Sequence, residues 1–150
     1  MLTNACKYAI RAVIYLALHS NVQKKLGVKK ISEELEVPQP FLAQLLRKLT
    51  SDKMVSSSKG PNGGFFLDED NLRHTIWDII TAIDGEHRFD DCFLGLSKCN
   101  NTNPCPVHHI VGPFKKEILN NFNEKTFATL RKEIRENGTV ISLKGMDINP

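Results

Sequence analysis

Three of the four cysteines, Cys92, Cys99 and Cys105, fall within fourteen consecutive positions with the spacing C-x6-C-x5-C, and His108 stands three residues beyond the last. Gly95, Asn100, Asn101, Thr102, Asn103 and Pro104 lie between them, a composition that turns instead of building a strand or helix. A loop carrying three thiols and an imidazole can wrap one soft metal centre. Thiolates suit zinc, copper(I) and iron–sulfur clusters, and an imidazole can complete four ligands. Asp90 and Asp91 directly before Cys92 argue against a place for that cysteine in the core. The competing readings are a disulfide pair with a spare thiol, and three cysteines with no joint role. Cys6, remote from the others, reads as a small core or surface residue in the first turn of a helix.

The rest of the chain must hold this loop. Its 150 residues, 41% hydrophobic and 25% charged, are enough for one ordinary globular domain, or a small domain with an appended assembly segment. No apolar run approaches the roughly 18 residues of a membrane span, since Arg11 and His19 bracket the longest one. The first residues lack a basic segment, a long apolar core and a cleavage site, so the expected compartment is a reducing cytoplasm without membrane attachment. Disulfides are unusual there, and clustered cysteines read as metal-binding or redox-active. Charge is unevenly spread. Residues 1–60 hold ten Lys and Arg against four acids, a balance of +6, and residues 61–150 hold ten against thirteen, −3. A basic first third fits a polyanion-binding module joined to something else, and equally a scatter of solvated lysines.

Apolar periodicity predicts helices over residues 4–19, 28–35 and 39–51. Thr3 or Asn4 can cap the first, Glu36-Val37-Pro38 breaks the second, and Pro40 fits the opening turn of the third. In the third, Leu42, Leu45, Leu46 and Leu49 form one face and Gln39, Ala43, Gln44, Arg47 and Lys48 the other. Two helices joined by a tight turn, the second with a Gln/Arg/Lys face, make a helix-turn-helix. MVSSS at 54–58, the turn KGPNGG and FFL at 65–67 then read as a hairpin with Lys59 at its tip, as in the wing of a winged helix. A helix over 76–83 capped by Thr75 precedes the cysteine loop. A longer apolar helix over 106–122 follows it, with Pro113 expected to kink it or delay its start. A last helix over 127–137 stops before Gly138, and the tail GTVISLKG reads as an edge strand or a disordered end. The apolar side of the long helix needs cover, which a second subunit or the chain's own domain can supply. The expected fold is mainly α: a winged helix-turn-helix with a small β-hairpin wing and a long C-terminal dimerisation helix. Its expected parts are a DNA-binding domain at 1–84, a cysteine-rich cluster loop at 85–105, dimerisation helices at 106–138 and a tail at 139–150.

The helix-turn-helix with LRKLTSDKMVSSSKGPNGGFFL, followed by C-x6-C-x5-C-P-x-H and a long helix, resembles the bacterial IscR/NsrR-type iron–sulfur transcription regulators. The resemblance runs from about Leu2 to Thr126. It implies a homodimer in which the helix after the loop crosses its mate. It also implies a cluster on Cys92, Cys99 and Cys105, with the fourth ligand from His108 or from the partner's N-terminal helix. Members with a 4Fe–4S cluster carry an aspartate in that helix, where this chain has Lys7 and Tyr8, so a 2Fe–2S cluster with Cys3His ligation is implied. A helix turns His109 roughly 100° from His108. The first gap, six residues, is one longer than is common in the family.

The resemblance also implies two recognition helices in successive major grooves of a roughly palindromic operator on double-stranded DNA. Gln44 would read a base edge, most naturally adenine, with Gln39 and Pro40 nearest the bases at the helix start. Lys59 would reach the minor groove or its phosphates, and Thr3, Arg47, Lys48 and Ser57 would contact phosphates. Family members that change DNA preference on cluster binding carry glutamate where this chain has Ala43, which argues against such a switch here. Signals compatible with a cluster are iron–sulfur status, nitric oxide, redox poise and iron. The rivals are a DNA-binding protein with a structural Cys3His zinc site and a winged-helix regulator with redox-active thiols. An enzyme is excluded by the lack of a phosphate loop, a nucleotide fingerprint or an acid–base pattern near Cys6.

Overall fold

A computed structural model describes residues 1–142 and Lys144. Helix α1 (Asn4–His19) begins where the Thr3 hydroxyl accepts the Cys6 N–H at 3.1 Å. It buries Ala9, Ala12, Val13, Leu16 and Ala17, and this small-residue face lets other helices approach closely, which makes α1 the hub of the core. Helix α2 (Val28–Leu35) ends at Glu36, whose left-handed φ of 55° redirects the chain, and the buried Val37 anchors the turn. Pro38 then sets the start of α3 (Gln39–Ser51), which buries Leu42, Leu45, Leu46 and Leu49 as expected.

The hairpin is shorter than its apolar pattern suggests. β1 (Ser56–Ser58) pairs antiparallel with β2 (Gly64–Phe66), Ser56 opposite Phe66. Met54, Val55 and Leu67, expected in the strands, are buried in the core and anchor the base of the wing. The segment before α2 contributes a third edge. Leu26 and Phe65 exchange N–H···O bonds of 2.9 and 2.8 Å.

Helix α4 (Ile76–Asp84) opens with a capping box in which Thr75 and Asp78 satisfy each other's backbone N–H. Helix α5 (His108–Glu124) starts two residues later than the expected 106 and runs through Pro113. Helix α6 (Phe127–Asn137) does not extend away with α5. It returns onto α1, with Phe127 only 1% exposed and its N–H donating to the His74 carbonyl at 2.9 Å. Within the expected 106–138 dimerisation segment, the buried Phe127 ties α6 into the winged-helix core, and Ile118, Leu119 and Phe122 of α5 pack against that core beside α4. Phe127→Ala should destabilise the chain by about 3–5 kcal/mol through lost burial and a residual cavity, measured by denaturant unfolding. A loss below about 1 kcal/mol, the level of a surface change, would contradict this packing.

Of the tail, residues 139–142 and Lys144 form no strand. Ile141 packs against the core, and its carbonyl accepts from Arg11 Nε at 2.6 Å while Arg11 Nη2 donates to the Leu35 carbonyl, also at 2.6 Å. The remainder of the tail lies outside the described residues. Among those described, no helix is long and apolar enough to cross a membrane.

Candidate functional site

The cysteine loop is pinned where it leaves α4. Phe89 is buried between Trp77 of α4 and Phe122 of α5, with ring centroids 6.0 and 6.5 Å away. Beyond it the loop holds itself by short backbone bonds. The Cys99 N–H donates to the Asp90 carbonyl at 3.0 Å, and Gly95, at φ 79°, returns its N–H to the Cys92 carbonyl at 2.9 Å. Asn100 Oδ1 accepts the N–H groups of Thr102 and Asn103, an Asx turn that reverses the chain. A last turn, with the His108 N–H on the Cys105 carbonyl at 3.0 Å, delivers His108 as the first residue of α5.

The four expected donors stand as two pairs. The Cys92 sulfur is faced by the backbone N–H groups of Leu94 and Leu96 and by the Cys105 side chain. The Leu94 N–H is the main reason its pKa lies below the ordinary thiol value, helped by Leu96, Cys105 and the Lys115 ammonium and opposed by burial. Cys99 Sγ lies 3.3 Å from His108 Nδ1, and His108 Nε2 lies 2.7 Å from Asn101 Oδ1. Among the described residues, no three of the Cys, His, Asp and Glu side chains close on a single metal position. Cys99 and His108 border an open cavity of about 790 Å³, which leaves room beside that pair. The expectation that Cys92 is not a core residue needs refinement. It is 7% exposed, and it stands outside the core cluster. His109 is exposed.

Cys6 differs in kind. It is fully buried in the core, and burial, with the Asp84 carboxylate next and Arg88 partly offsetting both, pushes its thiol up to about 12. A thiol that stays protonated is neither a ligand nor a nucleophile. The chemistry of the loop donors does fit a soft metal centre, because backbone N–H groups aimed at a sulfur favour the thiolate that ligation requires.

The residues expected at DNA are all exposed: Thr3, Gln39, Pro40, Gln44, Arg47, Lys48, Ser57 and Lys59. Gln44, Arg47 and Lys48 line the side of α3 away from its leucines, with Gln39 and Pro40 in its first turn. Ala43 is half-buried. Lys48 Nζ sits 3.0 Å from the Asp52 carboxylate. The Thr3 hydroxyl is engaged on both sides, accepting from Cys6 N–H and donating to Asp84. Sequence reasoning did not single out Lys25. It lies over the Phe66 ring at 5.1 Å and adds a cation beside the wing. Only the pairing of Leu26 with Phe65 brings it there, and no periodicity signals that contact.

The match to known proteins covers most of the chain. A 130-residue stretch is 35% identical to a protein of Aquifex aeolicus described as an HTH-type transcriptional regulator, spanning 85% of this chain and 89% of that one. Identity to the HTH-type transcriptional regulator IscR of Yersinia pseudotuberculosis is 30% over 129 residues, 86% of this chain and 77% of the relative. Among solved structures, CymR, the global cysteine regulator of B. subtilis, superposes with a TM-score of 0.68 at 18% identity, over 89% of this chain and 97% of that one. T. potens IscR superposes at 0.65 with 21% identity, over 93% and 92%. At such identities the structures speak for the winged-helix fold alone. Residues 2–133 match the Rrf2 family, described as iron-dependent transcriptional regulators, and the chain belongs to that family of regulators, which are not enzymes.

Proposed function

We propose that this regulator is a cytoplasmic homodimer that binds a palindromic operator, and that a 2Fe–2S cluster on Cys92, Cys99, Cys105 and His108 controls its affinity. The observation that carries the reading is the grouping of the donors into two pairs, Cys92 with Cys105 and Cys99 with His108. A binuclear cluster takes two protein ligands on each iron. When bound, the cluster would supply a redox-active and dissociable cross-link of the loop. The chain's own part is to present Cys92 as a thiolate through the Leu94 and Leu96 amides and to fix the His108 ring through Asn101.

Support for the dimer comes from α5, in which no residue is buried and Ile110 and Phe114 are 63% and 53% exposed. A second α5 laid across it covers both and sets two recognition helices a fixed distance apart, which is what a palindromic site requires. At each half-site Gln44, with Gln39 and Pro40, reads bases. Arg47, Lys48, Ser57 and the Thr3 end of α1 take phosphates, and Lys59 enters with the wing. Lys59→Gln should weaken binding evenly across DNA sequences and reduce the salt slope by about 1. An unchanged slope would remove the wing tip from the interface.

The direct test is anaerobic purification with iron, acid-labile sulfide and zinc counted per chain. About two irons and two sulfides per chain support the cluster. One zinc and no iron would make the loop a static brace. The nearness of Cys105 to Cys92 favours one second reading, a thiol switch, which would show as a chain that takes neither metal on reconstitution yet changes DNA affinity with oxidation.

A further inference from the structure

Asp84, the last residue of α4, is neither a donor of the cysteine loop nor a residue expected at DNA, yet its side chain is only 1% exposed. A carboxylate buried to that degree needs partners. It accepts the Thr3 backbone N–H at 3.0 Å and the Thr3 hydroxyl, and Arg88 Nε stands 3.5 Å away. Arg88 Nε also donates to the Met1 carbonyl. The end of α4 and the start of the cysteine loop, four residues apart, therefore meet the distant residues that open α1 at one carboxylate.

From Arg88 the contacts continue into the loop. Phe89 is clamped between Trp77 and Phe122, and the Asp90 carbonyl accepts the N–H of Cys99. On the other side, Thr3 caps α1 through the Cys6 N–H, and its carbonyl accepts the Lys7 N–H at 3.0 Å. The Thr3 hydroxyl has a single proton, and while Asp84 holds it none is left for a phosphate. Arg88 is the cation that makes this arrangement affordable, since without it the carboxylate is drawn toward water and away from Thr3.

We propose that Asp84 and Arg88 are positioning residues that latch the N-terminus of α1, so that rearrangement of the cysteine loop changes the availability of Thr3 and with it the affinity for DNA. The inference rests on the proposed control of DNA binding by the loop and names the groups that carry it. Spatial continuity alone is no proof of coupling, so the test is a thermodynamic cycle.

The full-length chain is compared with and without reconstituted iron and sulfide, as wild type and as Arg88→Gln. The probe is a DNA duplex selected from random sequence by the wild-type chain. In wild type, loading should change affinity by about 5–150-fold, the usual range for coupled sites. In Arg88→Gln the two forms should agree within about twofold, with iron content and dimer unchanged. Asp84→Asn, which keeps the shape and loses the charge, should behave alike. A full wild-type ratio in both variants overturns the latch.

Amide hydrogen exchange at Cys6 and Lys7 separates this outcome from failure of the cluster reading. Loading that alters exchange there in wild type but not in Arg88→Gln supports the latch even where both wild-type forms bind DNA equally. Loading that leaves exchange unchanged in wild type overturns it even where the cluster controls DNA binding. If the chain takes up no iron, zinc is loaded and the same two results decide.

Discussion

Cys92→Ser should lower the iron and sulfide recovered after anaerobic reconstitution to below about a tenth of wild type, because even outer-shell changes at metal sites cost 10–100-fold and this change removes a ligand. Serine keeps the size of the side chain but presents a hydroxyl that stays protonated at neutral pH. The two amides of Leu94 and Leu96 that stabilise a thiolate would then face a weak acceptor. Cys105→Ser should behave alike, since it breaks the same pair. Cys6→Ala is the control. It removes a protonated thiol from the core, at some cost in stability, and should leave iron and sulfide per folded chain unchanged. Circular dichroism on the same samples tells a folded chain without metal from an unfolded one. Wild-type metal content in Cys92→Ser would put the metal elsewhere, and loss in Cys6→Ala alone would reverse the assignment of the two kinds of cysteine.

The second large effect is expected far from any sulfur, at Gly64. A Cβ placed there would lie 2.7 Å from the Leu26 carbonyl oxygen, 2.8 Å from its carbon and 3.0 Å from the Leu26 nitrogen, and the backbone holds φ at 145°. All three obstacles are main-chain atoms in the pair of bonds that joins Leu26 to Phe65, so no side chain can swing aside. Overpacking and positive-φ strain together should cost Gly64→Ala about 2–6 kcal/mol, with loss of DNA affinity as the wing detaches from the segment before α2. Gly27→Ala supplies the comparison. Nothing lies within 4 Å of its Cβ position and its φ is −74°, so the change should stay below about 1 kcal/mol. Equal melting temperatures for the two variants would mean that the close approach at Gly64 is not rigid.

What could be read from the sequence was what is local. The leucines of α3 repeat at helical spacing, Glu36-Val37-Pro38 breaks the chain between two helices, and the cysteines announce themselves by count and spacing. Contacts between distant segments left no such mark. Met54, Val55 and Leu67 look like strand residues because an apolar side chain that anchors a hairpin and one that extends it are the same in sequence. Phe127 carries the same ambiguity between a partner subunit and the chain's own core, and it resolves toward the core because His74 and Lys125 offer its neighbourhood backbone bonds. Leu26, in the polar stretch between α1 and α2, pairs with Phe65 across thirty-nine positions. The asparagines around Cys99 predicted a loop but not its division into a Cys92–Cys105 pair and a Cys99–His108 pair, which depends on where Phe89 is pinned.

Arg11 has a consequence of another kind. Its guanidinium holds the carbonyl that ends α2 and the carbonyl of Ile141, whereas the match to the family stops at residue 133. The family match thus contains the arginine and one of its two partners, and the other partner lies beyond it. Substitutions around Ile141 can loosen or tighten the turn before α3 while every side chain proposed to face DNA stays the same. Two regulators with identical reading heads can thereby settle at different operator affinities, set from the far end of the chain.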